Sequence, residues 1–179
     1  MALCTLAELE AFLQTDVDAT AGALAIELAT GVVVGYTGQN FEADTYTQAL
    51  MIGSALEVKL PQRPVTAVTT VTVDGEDLVE LDEYTWDGLS PYLTLEESPP
   101  VDVWTATVEY DAGYAAVPGL VKAVVLAVAA RAYGNPHRVS SQSIDDYSVT
   151  YANDSAGLLP EEKRLLRRYR SSVGTVAPS

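Results

Sequence analysis

The side chains best placed to do chemistry in this 179-residue chain are carboxylates. Asp74, Glu76, Asp77, Glu80, Asp82 and Glu83 fall within ten positions. Clustered acids can hold a divalent cation or share a proton. Their spacing departs from a calcium-binding helix-loop-helix, because Gly75 comes too early in the loop. A solvated hairpin end accounts for the run without a metal. The chain has one cysteine, Cys4, and one histidine, His137. Zinc needs four such ligands, or three and a water, so no metal site and no disulfide framework is expected. His137 follows Pro136 past a helix end and has no visible acid or nucleophile partner, which a general base requires. Asp145 and Asp146 stand together in a polar stretch. No phosphate loop, dinucleotide fingerprint or nucleophile elbow occurs. The sequence reads as no enzyme, with no cofactor.

The charge balance points away from nucleic acid. Residues 1–120 carry 20 acidic and two basic side chains, a balance of −18, whereas residues 121–179 carry five and eight, a balance of +3. Like charge repels a phosphate backbone over most of such a surface. A nucleic-acid binder using the basic C-terminal stretch therefore ranks low. An enzyme built on the acidic hairpin ranks lower still. The N-terminus lacks a basic, apolar signal segment. The longest apolar run, Ala123 to Ala130, is far short of a bilayer span. A soluble protein made in a reducing cytoplasm, with no membrane partner, is expected.

The elements follow from period and punctuation. Thr5-Leu6-Ala7-Glu8 fits a capping box and opens a helix over 5–14, with Leu6, Leu9, Phe12 and Leu13 on one face. A second helix over 18–31 weakens at Gly31, before Val32-Val33-Val34. Over 41–110 the period becomes two. Val65 to Val73 alternates, and Asp74-Gly75 marks a hairpin turn. Pro118 opens a third helix over 118–133 that is apolar nearly all round, interrupted by Lys122 and Arg131, and Gly134-Asn135-Pro136 stops it. Such a helix needs cover on most sides. A strand-like piece, Tyr147 to Tyr151, lies in the polar stretch that follows.

The last helix, in 158–171, carries Leu158, Leu159, Leu165, Leu166 and Tyr169 as a stripe, with Lys163, Arg164, Arg167, Arg168 and Arg170 around it. Such a segment can fold back on its own core, contact nucleic acid, or dock in a groove on another protein. Residues 172–179 read as a disordered tail. The whole reads as α+β: mainly a helical bundle with an inserted small antiparallel β-hairpin or sheet region and a C-terminal helical arm. The core is 3–157 and the docking helix 158–171.

The order of Leu60-Pro61-Gln62-Arg63-Pro64-Val65, then Val108-Glu109-Tyr110-Asp111-Ala112-Gly113-Tyr114, then Val117-Pro118 and the apolar helix to Tyr133-Gly134-Asn135-Pro136, then Tyr147-Ser148-Val149 and a basic helix, resembles the head-to-tail connector (adaptor) proteins of tailed bacteriophages. The resemblance spans about residues 3 to 170. It implies a virion structural protein at the neck, made in the host bacterial cytoplasm. Copies would form a ring, dodecameric in that family, beneath the portal. Double-stranded DNA would pass through the channel without specific binding. The partners implied are the portal ring, other copies of the chain, and the next neck-stopper or tail-completion protein. The same virion's stopper or tail-completion protein is the alternative identity. Portal-binding residues would be Leu158, Leu159, Arg164, Leu165, Leu166, Arg167, Arg168 and Tyr169. Asp74, Glu76, Asp77 and Glu80 would line the channel.

Overall fold

The computed structural model describes residues 2–88, 90–100, 103–135 and 157–171, with the backbone of 141–144 and 147–150. His137, Asp145, Asp146, Tyr151 and the 172–179 tail lie outside the described residues. The chain folds as two units. One takes residues 1–37 and 117–170, the other 38–116 with 171–179.

Among its described residues the first unit is helical apart from two paired strands. Helix α1 (Leu6–Leu13) is closed by its capping box: the Glu8 amide donates to Thr5 Oγ1 at 3.2 Å, and the Thr5 amide to Glu8 Oε2 at 2.8 Å. Two orphan amides of the first turn are thereby satisfied. Helix α2 (Ala19–Thr37) starts where Asp18 Oδ1 accepts from the amides of Thr20 and Ala21. It runs six residues past Gly31. Ala29, Val33 and Thr37, one turn apart, are all fully buried, and that burial outweighs the poor propensity of the three valines. By length and composition α2 could cross a membrane. A packed core helix passes the same test, and seven α2 residues are buried here.

Helix α3 (Gly119–Gly134) is the apolar helix, and Val121, Val124, Val125, Val128 and Ala129 are buried. Helices α1, α2 and α4 (Pro160–Leu166) pack against it, so its own chain supplies much of the cover. Its two charges are each matched by a neighbouring helix. Lys122 Nζ lies 2.7 Å from Glu8 Oε1, and Arg131 Nη1 lies 2.7 Å from Glu162 Oε1. The Tyr133 hydroxyl accepts from the Asp18 amide at 3.1 Å. Strands β8 (Ser141–Ile144) and β9 (Tyr147–Thr150) form an antiparallel two-stranded sheet.

The second unit corrects the expectation of a mainly helical bundle with a small β insertion. It holds seven strands among the described residues: β1 (Asp44–Met51), β2 (Glu57–Lys59), β3 (Val65–Val73), β4 (Glu76–Asp77), β5 (Tyr84–Thr85), β6 (Tyr92–Leu95) and β7 (Thr105–Ala112). They build antiparallel sheets in the orders β1-β7-β3-β4 and β2-β6-β5. The protein is therefore α+β without being mainly helical. The physical reason is a second core. Val58, Leu60, Val71, Leu93, Ala106, Val108 and Tyr110 are fully buried together, so the strands are a packed body and no mere appendage of the helices.

Tyr110 anchors that core. Its hydroxyl donates to Gln48 Oε1 at 2.8 Å and accepts from the Gln62 amide at 3.3 Å. Burial pushes its pKa up to about 12. Gly113 sits at φ +123°, and a Cβ there would lie 2.2 Å from the Glu42 carbonyl oxygen. No side chain fits, which explains a glycine just after β7.

Candidate interaction surfaces

Among the described residues no three His, Cys, Asp or Glu side chains group as a cation site. The acidic hairpin is solvated. Asp74 and Gly75, at φ 53° and 83°, make the turn from β3 to β4, a conformation that suits this residue pair. Asp74, Glu76, Asp77 and Glu80 are all exposed. Asp77 Oδ1 accepts from Thr72 Oγ1 at 2.8 Å. Beyond β4 the chain bonds to itself, the Val79 amide donating to Glu83 Oε2 at 2.8 Å. Val79 and Leu81 are exposed among these acids, a pairing the residue pattern did not single out.

The C-terminal segment is folded onto its own unit. Arg131 grips Glu162 through two parallel bonds of 2.7 and 2.8 Å, and its Nη2 also reaches the Gly157 carbonyl at 3.3 Å. Glu162 Oε2 accepts the Leu159 amide at 2.8 Å, which caps α4. The Tyr36 hydroxyl donates to the Lys163 carbonyl at 3.2 Å, and the Arg170 guanidinium lies 5.6 Å from the centre of the Tyr36 ring. A 3-10 turn, Arg167–Tyr169, ends the segment.

This packing divides the stripe named from sequence. Leu158 and Leu166 are buried, Leu159 is half-buried, and Leu165 is 44% exposed. Arg164, Arg167 and Arg168 are exposed, and Tyr169 is half-buried. Arg168 stacks over the Tyr169 ring at 4.8 Å and donates to its hydroxyl at 2.8 Å. The outward face thus presents one leucine, one tyrosine edge and several cations. The opposite side of α4 is core.

Other apolar groups reach solvent. Phe12, Leu24 and Leu28 do so on α1 and α2. Met51 and Trp104, 63% and 66% exposed, sit at one end of the four-stranded sheet, where the Ile52 amide donates to the Trp104 carbonyl at 2.9 Å. An open groove of about 360 Å³ lies beside them, lined by Met51, Ile52, Lys59 and Tyr92. Lys59 Nζ stands 5.4 Å over the Tyr92 ring. Hydrophobic surface of this kind suits protein contacts.

No family model matches this chain, and no curated protein matches it significantly. Solved structures do. A chain from the neck of an empty gene transfer agent (GTA) particle, computed with C6 symmetry, superposes with a TM-score of 0.61 at 17% identity, over 98% of this chain and 93% of that one. A chain from the neck of the native GTA particle, computed with C12 symmetry, gives 0.59 at 18% identity, over 97% and 91%. A chain from the virion of the native particle gives 0.60 at 16%, over 98% and 93%. The likeness is one of fold, and it extends over both units.

Proposed function

We propose that this chain is a structural component of the neck of a tailed-phage-like particle, an adaptor that forms a ring under the portal and joins the head to the next neck or tail protein. The observation that carries this reading is the end-to-end likeness to neck chains of a phage-like particle. A C6 or C12 neck requires many copies of one chain around an axis, which fits a ring. The ordered sequence signals that resemble connector adaptors support the same reading.

In this reading the outer face of α4 and the turn after it meets the portal. Leu165 and Tyr169 supply apolar contact, and Arg164, Arg167 and Arg168 supply ion pairs to carboxylates, for which the planar guanidinium is suited. Leu158, Leu159 and Leu166 hold the segment in shape from behind. The exposed acids Asp74, Glu76, Asp77 and Glu80 face the channel, where like charge lets double-stranded DNA slide past. The particle's neck is then the chain's place of action.

The test is native mass spectrometry of the full chain mixed with the portal ring of the same particle. The wild type is run beside the triple variant Arg164→Glu, Leu165→Asp, Arg167→Glu, whose changes are all on the exposed face. Portal rings loaded with wild-type copies and bare in the presence of the variant are expected. Folded wild-type protein that adds no mass to the portal would overturn the adaptor reading and favour a stopper or tail-completion position.

A further inference from the structure

Among the described residues, the four-stranded sheet has one edge longer than the other edges of the second unit. Strand β1 pairs with β7 over eight consecutive residues without a bulge. It is the edge strand of its sheet, and among the described residues its other side meets another strand only at its far end, where Ile52 bridges Val58 of β2. Such an edge is a template for another strand, and proteins blunt theirs with shortness, lysine or bulges. The remaining edges of the second unit are blunted in those ways. Strand β2 has three residues, one of them Lys59; β4 and β5 have two each. The outer side of β3 is shared with β4, and two register shifts in its ladder with β7 make the strand irregular. Strand β1 carries no lysine, no proline and, after Asp44, no charge.

The ladder fixes which groups point outward. Ile52 donates to the Trp104 carbonyl, opposite it where the β1–β7 register continues, and on its other side it bridges Val58 of β2. Bonded and non-bonded pairs alternate along an antiparallel ladder. Leu50, Gln48, Tyr46 and Asp44 therefore bond to β7. Thr45, Thr47, Ala49 and Met51 face the other side, where Asp44 Oδ1 accepts the Thr45 amide at 2.9 Å and Met51 adjoins the bridge to β2, so the open stretch centres on Thr47 and Ala49. The side chains of those same four residues are exposed.

The first unit holds the complement. Strands β8 and β9 pair only with each other among the described residues. A lone two-stranded hairpin is marginal in water and gains stability from a third strand. Its strands, Ser141–Ile144 and Tyr147–Thr150, carry no charge, and neither does β1 after Asp44, so the paired backbones would bring no charged side chains face to face within the ladder.

We propose that the free edge of β1 pairs with the β8–β9 hairpin of a second copy of this chain. The contact joins two different patches, so it is head-to-tail, and repeated about an axis it closes a ring. The proposal rests on the ring-forming neck reading and names the surface that would close the ring.

The full chain tests it by sedimentation from micromolar to millimolar concentration. Ala49→Pro removes one outward amide, which an edge strand tolerates. Thr47→Lys adds an edge-blocking charge. Circular dichroism and melting verify that both variants are folded. Self-association of the wild type, weakened roughly tenfold or more in both variants, is expected. A second measurement mixes a Thr47→Cys copy with a Ser143→Cys copy under mild oxidation, Cys4 being buried. Mixed dimers should exceed either like-with-like product. Full association by both folded variants overturns the edge pairing while leaving the ring reading intact. Dominant Thr47→Cys homodimers overturn the hairpin as occupant. A chain carrying both substitutions that closes on itself at high dilution assigns the hairpin to its own β1, which also overturns the proposal. A wild type that never self-associates overturns it too, and the portal experiment then decides the neck reading separately.

Discussion

Arg131 of α3 and Glu162 of α4 face each other through two parallel charge-assisted bonds of 2.7 and 2.8 Å, with side chains 18% and 10% exposed. The same carboxylate caps α4 through the Leu159 amide. Replacing Glu162 by Ala strands a mostly buried guanidinium and uncaps the helix. A loss of about 2–3 kcal/mol is expected, read by urea unfolding. Replacing Arg131 and Glu162 together by apolar residues should cost less than Glu162→Ala alone, because no charge is then left buried.

Adjacent leucines should separate stability from docking. Leu166 is fully buried and Leu165 is not. Leu166→Ala should cost about 3 kcal/mol in unfolding free energy. Leu165→Ala should fall within about 0.5 kcal/mol of wild type yet weaken portal binding. Equal stability losses from the two would contradict the packing of α4.

Cys4 should be chemically silent in the native state. Burial, with the nearby Glu8 carboxylate adding to it, pushes its pKa up to about 11. The thiolate is the reactive form, so alkylation at neutral pH should be slow and should accelerate as denaturant opens the first unit. Fast native-state labelling would contradict the burial of this N-terminal segment.

Glu8 ties the acid limb of stability to one contact. The hydrogen bond from Lys122, then the Thr5 amide, holds its carboxyl below the usual value. The folded state therefore binds its proton less readily than the unfolded chain. The contribution is complete above the ordinary carboxylate range and fades as pH falls through the lowered folded value. The pair is about one-third exposed, so its worth stays below about 1 kcal/mol. Melting curves of Glu8→Gln should lie below wild type at neutral pH and converge with it in acid.

Much of this architecture was legible where a local signal and a tertiary one agree. The capping box of α1, the alternation of β3 with its Asp74-Gly75 turn, and the proline and glycine that bracket α3 each carry their own punctuation. Strand β1 had none. Its inward face is Tyr46, Gln48 and Leu50, and the glutamine reads as polar until Tyr110 is seen bonding to it. Strand β8, with Ile144 as its one aliphatic residue, was equally silent. The weight of the β unit was underestimated because β2, β4, β5 and β6 have two to four residues each and reveal a common core with the longer strands only once they are paired. The division of the C-terminal stripe needed α3 in place. Nothing in the sequence tells Leu165 from Leu166 until Arg131 has seized Glu162.

The β unit interrupts the helical one, since residues 38–116 lie between α2 and α3. Its outermost pairings, Asp44 with Ala112 and the bridge from Glu42 to Tyr114, fall close to both crossing points. Once those pairings form, the segment that α2 and α3 must close shrinks from about 80 residues to about 10, which lowers the entropy of closure by roughly 2 kcal/mol. The sheet is thus a splice for the helices. Its assembly sets the effective length of the tether between them, and weakening the β1–β7 ladder near Asp44 should slow the closing of α2 on α3.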